Sequence, residues 1–189
     1  TYGTISIGAS TGVWTYTLDT SRPQVQALAA GQTATDELVL RVTDEFGASA
    51  DQIVSVTITG SNDAPFISVN SEVGNSSAAS INESNATLSA SGTVTVSDVD
   101  LIDTVSATKA AIVSRGGAIA AASGLSDADL LSMFTVSPTA PAAVVGNTST
   151  TGTLGWSFNS ASEAFNHLAV GESLTLTYTV RVADSSGAT

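Results

Sequence analysis

The stretch Val13-Trp14-Thr15-Tyr16-Thr17-Leu18 alternates large apolar side chains with threonine. Trp14, Tyr16 and Leu18 fall on one face of an extended chain and the threonines on the other, which is the period of two of a half-buried β-strand. The same alternation recurs in residues 37–43 and 52–60. These segments predict short strands whose apolar faces, including Trp14 and Val42, point into a core.

The chain repeats itself over a long period. Residues 14–48 return as residues 154–188 without gaps, because Gly31 matches Gly171 and Asp44 matches Asp184 at a constant offset of 140. A period of this length is a domain-sized repeat. The second copy predicts strands at 154–158 and 178–182, and Val94 and Val96 mark a further strand. Tandem repeats of this kind favour a structural protein.

Composition and turn signals predict the fold class. Thr, Val and Ile are frequent and glycines separate the short apolar runs, as in an all-β chain. We predict tandem antiparallel β-sandwich domains, cadherin- or immunoglobulin-like, with one or two short helical turns. The helical turns are expected at residues 23–30 and 127–133, the latter opening on Ser126 as an N-cap.

The segment 61–65 predicts a linker, because Pro65 ends strand pairing after Gly60-Ser61-Asn62-Asp63-Ala64. We therefore expect one domain over 1–60 and a second, longer one over 66–189. The second has no counterpart of the strand 51–60, and the first has none of 66–153 except a strand around Ile5 and Ile7. This predicts that the chain is a fragment of a longer protein.

The charge is strongly negative. Five Lys and Arg residues stand against 17 Asp and Glu residues, a net charge of −12. Phosphate repulsion argues against nucleic acid, and the same repulsion argues against anionic lipid surfaces. Cations are the natural partners, although solubility alone is an alternative reading of the charge. No apolar run is long enough for direct membrane insertion, and the absence of cysteine excludes disulfides and zinc-thiolate sites.

No catalytic set is recognisable, so we predict that the protein is not an enzyme. His167 is the only histidine and has no partner histidine. The serines form no Gly-x-Ser-x-Gly elbow, and Ser114-Arg115-Gly116-Gly117 lacks the Lys-Ser/Thr of a phosphate loop.

A family signature runs through the first copy. It consists of Trp14-Thr15-Tyr16-Thr17-Leu18-Asp19, Leu28-Ala29-Ala30-Gly31, Val42-Thr43-Asp44 and Val56-Thr57-Ile58-Thr59-Gly60-Ser61-Asn62-Asp63-Ala64-Pro65. This pattern resembles a VCBS repeat, a type found in large bacterial surface adhesins of the RTX class. The second copy resembles a longer variant through Gly92-Thr93-Val94-Thr95-Val96-Ser97-Asp98-Val99-Asp100.

The resemblance implies a secreted protein at the bacterial cell surface, built of cadherin- or immunoglobulin-like sandwiches in tandem. It implies Ca²⁺ near domain junctions and a stalk or extender role in cell adhesion and biofilm formation. The expected partners are neighbouring repeats in the same polypeptide, together with a cell-surface or glycan ligand.

Acidic residues cluster where the predicted strands end, in a pattern that suits Ca²⁺, an ion that takes six to eight oxygen ligands. The strongest group is Asp98, Asp100 and Asp103, and the family pattern places Asn62, Asp63 and Glu83 at the same junction. Asp44 and Asp184 complete the predicted ligands, although a single aspartate after a strand also forms turns. We expect Ca²⁺ to convert a flexible tether into a rod.

Two other functions stay open from the sequence. Residues 107–150, rich in Ala, Ser and Thr, read as an insertion, and long irregular loops often carry binding sites. This favours a ligand- or glycan-binding module as the alternative. An accessory domain of a secreted hydrolase is the third possibility.

Overall fold

The computed structural model describes residues 1–116, 124–162 and 165–189. The chain is an all-β protein whose strands pair antiparallel in four sheets, as the alternating apolar pattern predicts. It divides into two compact units, the first made of Thr1–Asp63 with Val99–Leu101 and the second of Ala64–Asp98 with Ile102–Thr189. No helix among the described residues has the length and apolarity that crossing a membrane requires.

The first unit contains two antiparallel strand pairs. In the first pair, β1 (Gly3–Ile7) lies beside β2 (Trp14–Leu18). After a short helix, α1 (Pro23–Gln26), come β3 (Thr33–Thr43) and β4 (Ser49–Thr59). The latter two pair along their full length, from Thr33 opposite Thr59 to Thr43 opposite Ser49.

The turn that joins β3 to β4 is built around Asp44. Its N–H donates to the carbonyl oxygen of Ala48 at 2.9 Å, and its Oδ1 accepts from the N–H groups of Phe46 and Ala48, both at 2.9 Å. Gly47 has a φ of +87°, a conformation that glycine adopts without steric cost.

The turn after the last strand of the chain has the same geometry. The Asp184 N–H donates to the Ala188 carbonyl at 3.1 Å, and Asp184 Oδ1 accepts from the Ala188 N–H at 2.8 Å. Gly187 stands at the position of Gly47, with a φ of +94°. The repeat in sequence is therefore also a repeat in backbone geometry.

The second unit contains a four-stranded and a three-stranded antiparallel sheet. In the four-stranded sheet the order is β5-β6-β10-β8, and in the three-stranded sheet it is β11-β7-β9. A short 3₁₀ helix, Ser71–Val73, follows β5, and α2 (Asp127–Ser132) lies between β7 and β8. The strands are β5 (Phe66–Ser68), β6 (Ser89–Ser97), β7 (Val105–Gly116), β8 (Phe134–Ser137), β9 (Ala143–Val145), β10 (Thr151–Asn159) and β11 (Thr175–Ala183).

Both sheets of the second unit contribute to one apolar core. Its buried members come from six strands: Val94, Val96, Val105, Ala107, Phe134, Val136, Val145, Leu154 and Val182. Phe134 stacks on Tyr178 with ring centroids 4.4 Å apart. Gly92 lies opposite Trp156, where a Cβ would come within 2.6 Å of the indole ring, so the aromatic ring packs directly on the backbone of β6.

Helix α2 confirms the helix predicted at 127–133. It opens with a capping box, since Ser126 Oγ accepts from the Asp129 N–H at 3.2 Å and Asp129 Oδ2 accepts from the Ser126 N–H at 2.9 Å. Leu130 of this helix is buried in a second apolar cluster, together with Leu88 and Phe165. The other predicted helical turn is shorter than expected and covers only Pro23–Gln26.

The expectation that residues 107–150 form an irregular insertion is wrong for the described part of that segment. It supplies most of β7, all of α2, and strands β8 and β9. Ala107, Val136 and Val145 are core residues. Residues 117–123 lie outside the described ranges.

Two predicted core positions of the first unit are exposed. Trp14 is 44% exposed, whereas its counterpart Leu154 is 1% exposed, and Val42 is exposed while its counterpart Val182 is buried. The predicted strands are present, but burial of their apolar faces also requires a second sheet that covers them. Within the first unit, the described residues include no counterparts of β5 to β8.

Leu154→Ala is expected to destabilise the second unit by about 2–5 kcal/mol, because it removes a fully buried side chain from the shared core. Urea unfolding monitored by Trp156 fluorescence in a Trp14→Phe background measures this. Val170→Ala is the control, since Val170 is fully exposed and its change should stay within about 0.5 kcal/mol. Equal losses in both variants would contradict the assigned core.

Candidate metal site

The three aspartates of the segment 98–103 are buried, whereas Val99, Leu101 and Ile102 are exposed. Asp98 is 2% exposed, Asp100 is 0% exposed and Asp103 is 5% exposed. Charged side chains are rarely removed from water to this extent unless they are compensated, because desolvation of a carboxylate costs several kcal/mol. The segment directly follows β6, and the Asp98 N–H anchors its start by donating to the Thr150 carbonyl at 2.9 Å.

Asp100 belongs to the first unit and contacts its linker end. Asp100 Oδ2 accepts from the Asp63 N–H at 2.8 Å, so Asp63 contributes here through its backbone. The half-buried Asn62 donates from Nδ2 to the carbonyl oxygen of Asp63 at 2.9 Å. These contacts bring three of the predicted ligands into one hydrogen-bonded group.

Asp103 belongs to the second unit and contacts the turn that follows β11. Its two carboxylate oxygens accept from the hydroxyl groups of Ser185 at 3.0 Å and Ser186 at 3.1 Å. Asp184, the residue that begins this turn, is also buried. The second unit thus brings Asp103 close to the turn of Asp184.

The turn-forming role that the sequence left open for Asp44 and Asp184 is confirmed by their hydrogen bonds to the turn backbone. Asp44 is exposed and Asp184 is buried, although both residues make the same turn. Glu83 is exposed in the coil before β6, where it lines an apolar cavity of the second unit. Within residues 1–116, 124–162 and 165–189, no three acidic, histidine or cysteine side chains converge on a common metal position.

The donors present fit a hard cation by their chemistry. The first unit presents the carboxylate of Asp100 and the amide of Asn62, and the second unit presents the carboxylates of Asp98 and Asp103 with the hydroxyls of Ser185 and Ser186. These are oxygen ligands of the kind that Ca²⁺ takes, and backbone carbonyls complete such sites. Three of the five basic side chains interact with groups other than these acids. Arg22 forms an ion pair with Asp19, and Arg41 forms one with Asp51. Lys109 donates hydrogen bonds to the carbonyl oxygens of Leu131 and Phe134.

A buried acid that was not predicted lies in the first unit. Asp36 is 4% exposed and accepts hydrogen bonds from the Tyr16 hydroxyl at 2.6 Å and from the N–H groups of Tyr2 at 2.6 Å and Gly3 at 3.2 Å. The signal in the sequence is that Asp36 occupies an inward position of β3, in phase with Leu38 and Leu40. Its counterpart in the second copy is Leu176, so this group belongs to the first unit alone.

Burial raises the pKa of Asp36, but the hydrogen bonds from Tyr16, Tyr2 and Gly3 outweigh it and leave the pKa below its usual value. Burial and the hydrogen bond to Asp36 raise the pKa of Tyr16 to about 12. The pair therefore consists of a carboxylate and a neutral phenol over the whole neutral range.

Asp36 is expected to make the first unit sensitive to acid. Its folded pKa lies below the unfolded value of about 3.9, so its stabilisation is present above pH about 4 and is lost as the pH falls through the folded pKa. Tyr16→Phe removes one hydrogen bond and should reduce this loss. Urea midpoints between pH 2 and 7, read from Trp14 fluorescence in a Trp156→Phe background, test it.

Tyr2→Phe is the matched control, because Tyr2 donates its backbone N–H and the substitution keeps that bond. If Tyr16→Phe and Tyr2→Phe leave the acid sensitivity of the first unit equally unchanged, the role given to the Tyr16 hydroxyl is wrong.

Comparisons with known proteins return no match: neither the family models, nor the curated proteins, nor the solved structures include one that this chain matches. The resemblance to VCBS repeats therefore rests on the motifs in the sequence.

Proposed function

We propose that this chain is a structural extender of a secreted bacterial surface adhesin, in which Ca²⁺ bound near the domain junction rigidifies a stalk of tandem β-sandwich domains. The proposal combines the VCBS-like motifs with the 140-residue repeat and with the strongly acidic composition. Its partners would be neighbouring repeats in the same polypeptide, and its role would be to support cell adhesion and biofilm formation.

The observation that carries the proposal is the burial of Asp98, Asp100 and Asp103 within six residues of sequence. Taking a carboxylate out of water costs several kcal/mol unless its charge is compensated. A bound Ca²⁺ would compensate the charge of these buried side chains and favour an ordered segment. In the first unit, Asp100 would supply carboxylate oxygens, and Asn62 and Asp63 would contribute amide and carbonyl oxygens. In the second unit, Asp98 and Asp103 would supply carboxylate oxygens.

The sandwich architecture is part of the same proposal. The shared core of the two sheets in the second unit supports it, because sheets that bury one face each against a common core are the building principle of a β-sandwich. Repeats of such domains can extend a binding tip from a surface without contributing chemistry of their own.

The glycan-binding alternative through residues 107–150 has less support. The described residues of this segment form strands and a helix of the second unit, including core positions such as Val136 and Val145. Segments that supply core residues serve the packing of the domain, whereas binding residues lie more often on loops outside the sheets.

Calcium is expected to stabilise the protein against heat. At a Ca²⁺ concentration of about 100 times Kd, binding linkage contributes about 2.7 kcal/mol, which corresponds to several degrees in Tm. Differential scanning calorimetry in millimolar CaCl₂ and in EGTA measures the difference, and calorimetric titration of the chelated protein gives the stoichiometry.

Asp100→Asn keeps the shape of the side chain and an oxygen acceptor for the Asp63 N–H but removes the charge, so it should abolish most of the Ca²⁺ response. Asp127→Asn is the control, because Asp127 is an exposed acid in the first turn of α2 and should leave the response intact. A wild-type melting curve that is identical in CaCl₂ and EGTA would refute the calcium proposal.

A further inference from the structure

Four asparagines of the second unit stand in the tripeptide Asn-x-Ser/Thr with a residue other than proline in the middle: Asn75, Asn82, Asn85 and Asn147. This tripeptide is the acceptor to which transferases attach a sugar through the asparagine side-chain nitrogen. The reaction requires that the asparagine amide and the hydroxyl group two residues later both reach the enzyme. The four asparagines differ in how far they meet this requirement.

Asn75 is buried and its amide is hydrogen-bonded on both sides. The residue is 8% exposed, and its Oδ1 accepts from the Thr95 hydroxyl at 2.7 Å and from the Asn70 N–H at 3.3 Å. Its Nδ2 donates to Thr93 Oγ1 at 3.1 Å. The amide nitrogen of Asn75 is therefore out of reach of an enzyme while the second unit is folded.

Asn85 and Asn147 are exposed, but the hydroxyl group of each tripeptide is already hydrogen-bonded. Thr87 Oγ1 donates to a backbone carbonyl at 2.7 Å. In the turn between β9 and β10, Ser149 Oγ donates to the Thr151 carbonyl at 2.8 Å and accepts from the N–H of the same residue at 3.3 Å. An enzyme would have to break these bonds before it could bind the hydroxyl group, which makes both asparagines poorer acceptors.

Asn82 meets the requirement in full. Asn82 and Ser84 are both exposed, and neither side chain forms a hydrogen bond with another residue of the described ranges. The coil around them, residues 79–86, forms no backbone–backbone hydrogen bond within the described part of the chain. This segment can therefore adjust its backbone to the cleft of an enzyme without first breaking hydrogen bonds.

The neighbours of Asn82 show which way the coil faces. Ile81 and Glu83 line the apolar cavity of the second unit, whereas Asn82 does not. Asn82 thus lies on the side of the coil that faces away from the cavity. Any part of the polypeptide that covers the cavity would contact Ile81 and Glu83 and leave the Asn82 amide accessible.

We propose that Asn82 is a site of N-glycosylation. The co-substrate is a sugar whose anomeric carbon carries a diphosphate leaving group, and the enzyme is a transferase that recognises Asn-x-Ser/Thr. A bond forms between Asn82 Nδ2 and the anomeric carbon, the bond from this carbon to the phosphate oxygen breaks, and one amide proton leaves with the diphosphate. No group is oxidised or reduced. The modification does not depend on calcium.

Glycopeptide mass spectrometry of the protein isolated from the cells that produce it tests the proposal. A sugar on Asn82 is expected, with lower occupancy of Asn85 and Asn147 and with Asn75 unmodified. The mass of the glycan distinguishes single sugars from a nucleotide donor and a preassembled oligosaccharide from a lipid donor, and either supports the proposal.

Ser84→Ala should abolish the modification although Asn82 itself is kept, and Ser84→Thr should retain it because the hydroxyl group is still present. Ser80→Ala is the matched control, since it removes an exposed serine of the same coil that belongs to none of the four tripeptides. Equal loss of the sugar in Ser84→Ala and Ser80→Ala would contradict the proposed recognition.

A second measurement tests whether the folded structure selects the site. The folded chain, produced in cells without N-glycosylation, and a peptide of residues 70–90 are compared as acceptors for UDP-glucose and a transferase specific for Asn-x-Ser/Thr. The peptide should accept glucose at Asn75 as well as at Asn82. The folded chain should accept it at Asn82 and not at Asn75, because folding buries the Asn75 amide.

Two results would overturn the proposal. One is an unmodified Asn82 in the protein from its own cells. The other is a folded chain that accepts glucose at Asn75 as readily as at Asn82, which would show that accessibility in the fold does not decide the site.

Discussion

The second unit depends on one constraint: each of its two sheets has an apolar face, and the two faces must cover each other. Val96, Val105 and Leu154 meet this demand completely, and the stacked rings of Phe134 and Tyr178 fill the space beside them. This packing fixes the two ends of the acidic segment 98–103, because the segment leaves β6 and leads to β7, two strands that contribute to the core from different sheets.

Much of the fold was predictable because its signals are local. The alternation at 13–18 located β2, and the Ser126 cap located α2. Burial was less predictable, because it depends on partners far away in sequence. Trp14 and Leu154 occupy equivalent positions in the repeat, yet only Leu154 is buried. Residues 107–150 looked irregular because small residues such as Ala107 fill core positions that usually hold larger side chains.

The candidate site likewise has features that the sequence predicts and features that depend on tertiary folding. Asp98, Asp100 and Asp103, which the sequence singles out by their spacing, are each buried in the structure. The turn role of Asp44 and Asp184 follows from residue type. The hydroxyl donors of Ser185 and Ser186 could not be predicted, since they approach Asp103 only through tertiary folding. The pairing of Asp36 with Tyr16 was missed for a similar reason, although an acid in phase with Leu38 and Leu40 was a visible exception in the strand pattern.

The two equivalent turns at 44–48 and 184–188 have a consequence for how a gene of this type changes length. They share backbone hydrogen bonds and a left-handed glycine, and they are separated by 140 residues without a shift in strand phase. An in-frame crossover between their codons removes or duplicates one whole period while every strand keeps its inward and outward faces. Selection can thus lengthen or shorten such a polypeptide in fixed increments without having to rebuild a hairpin each time.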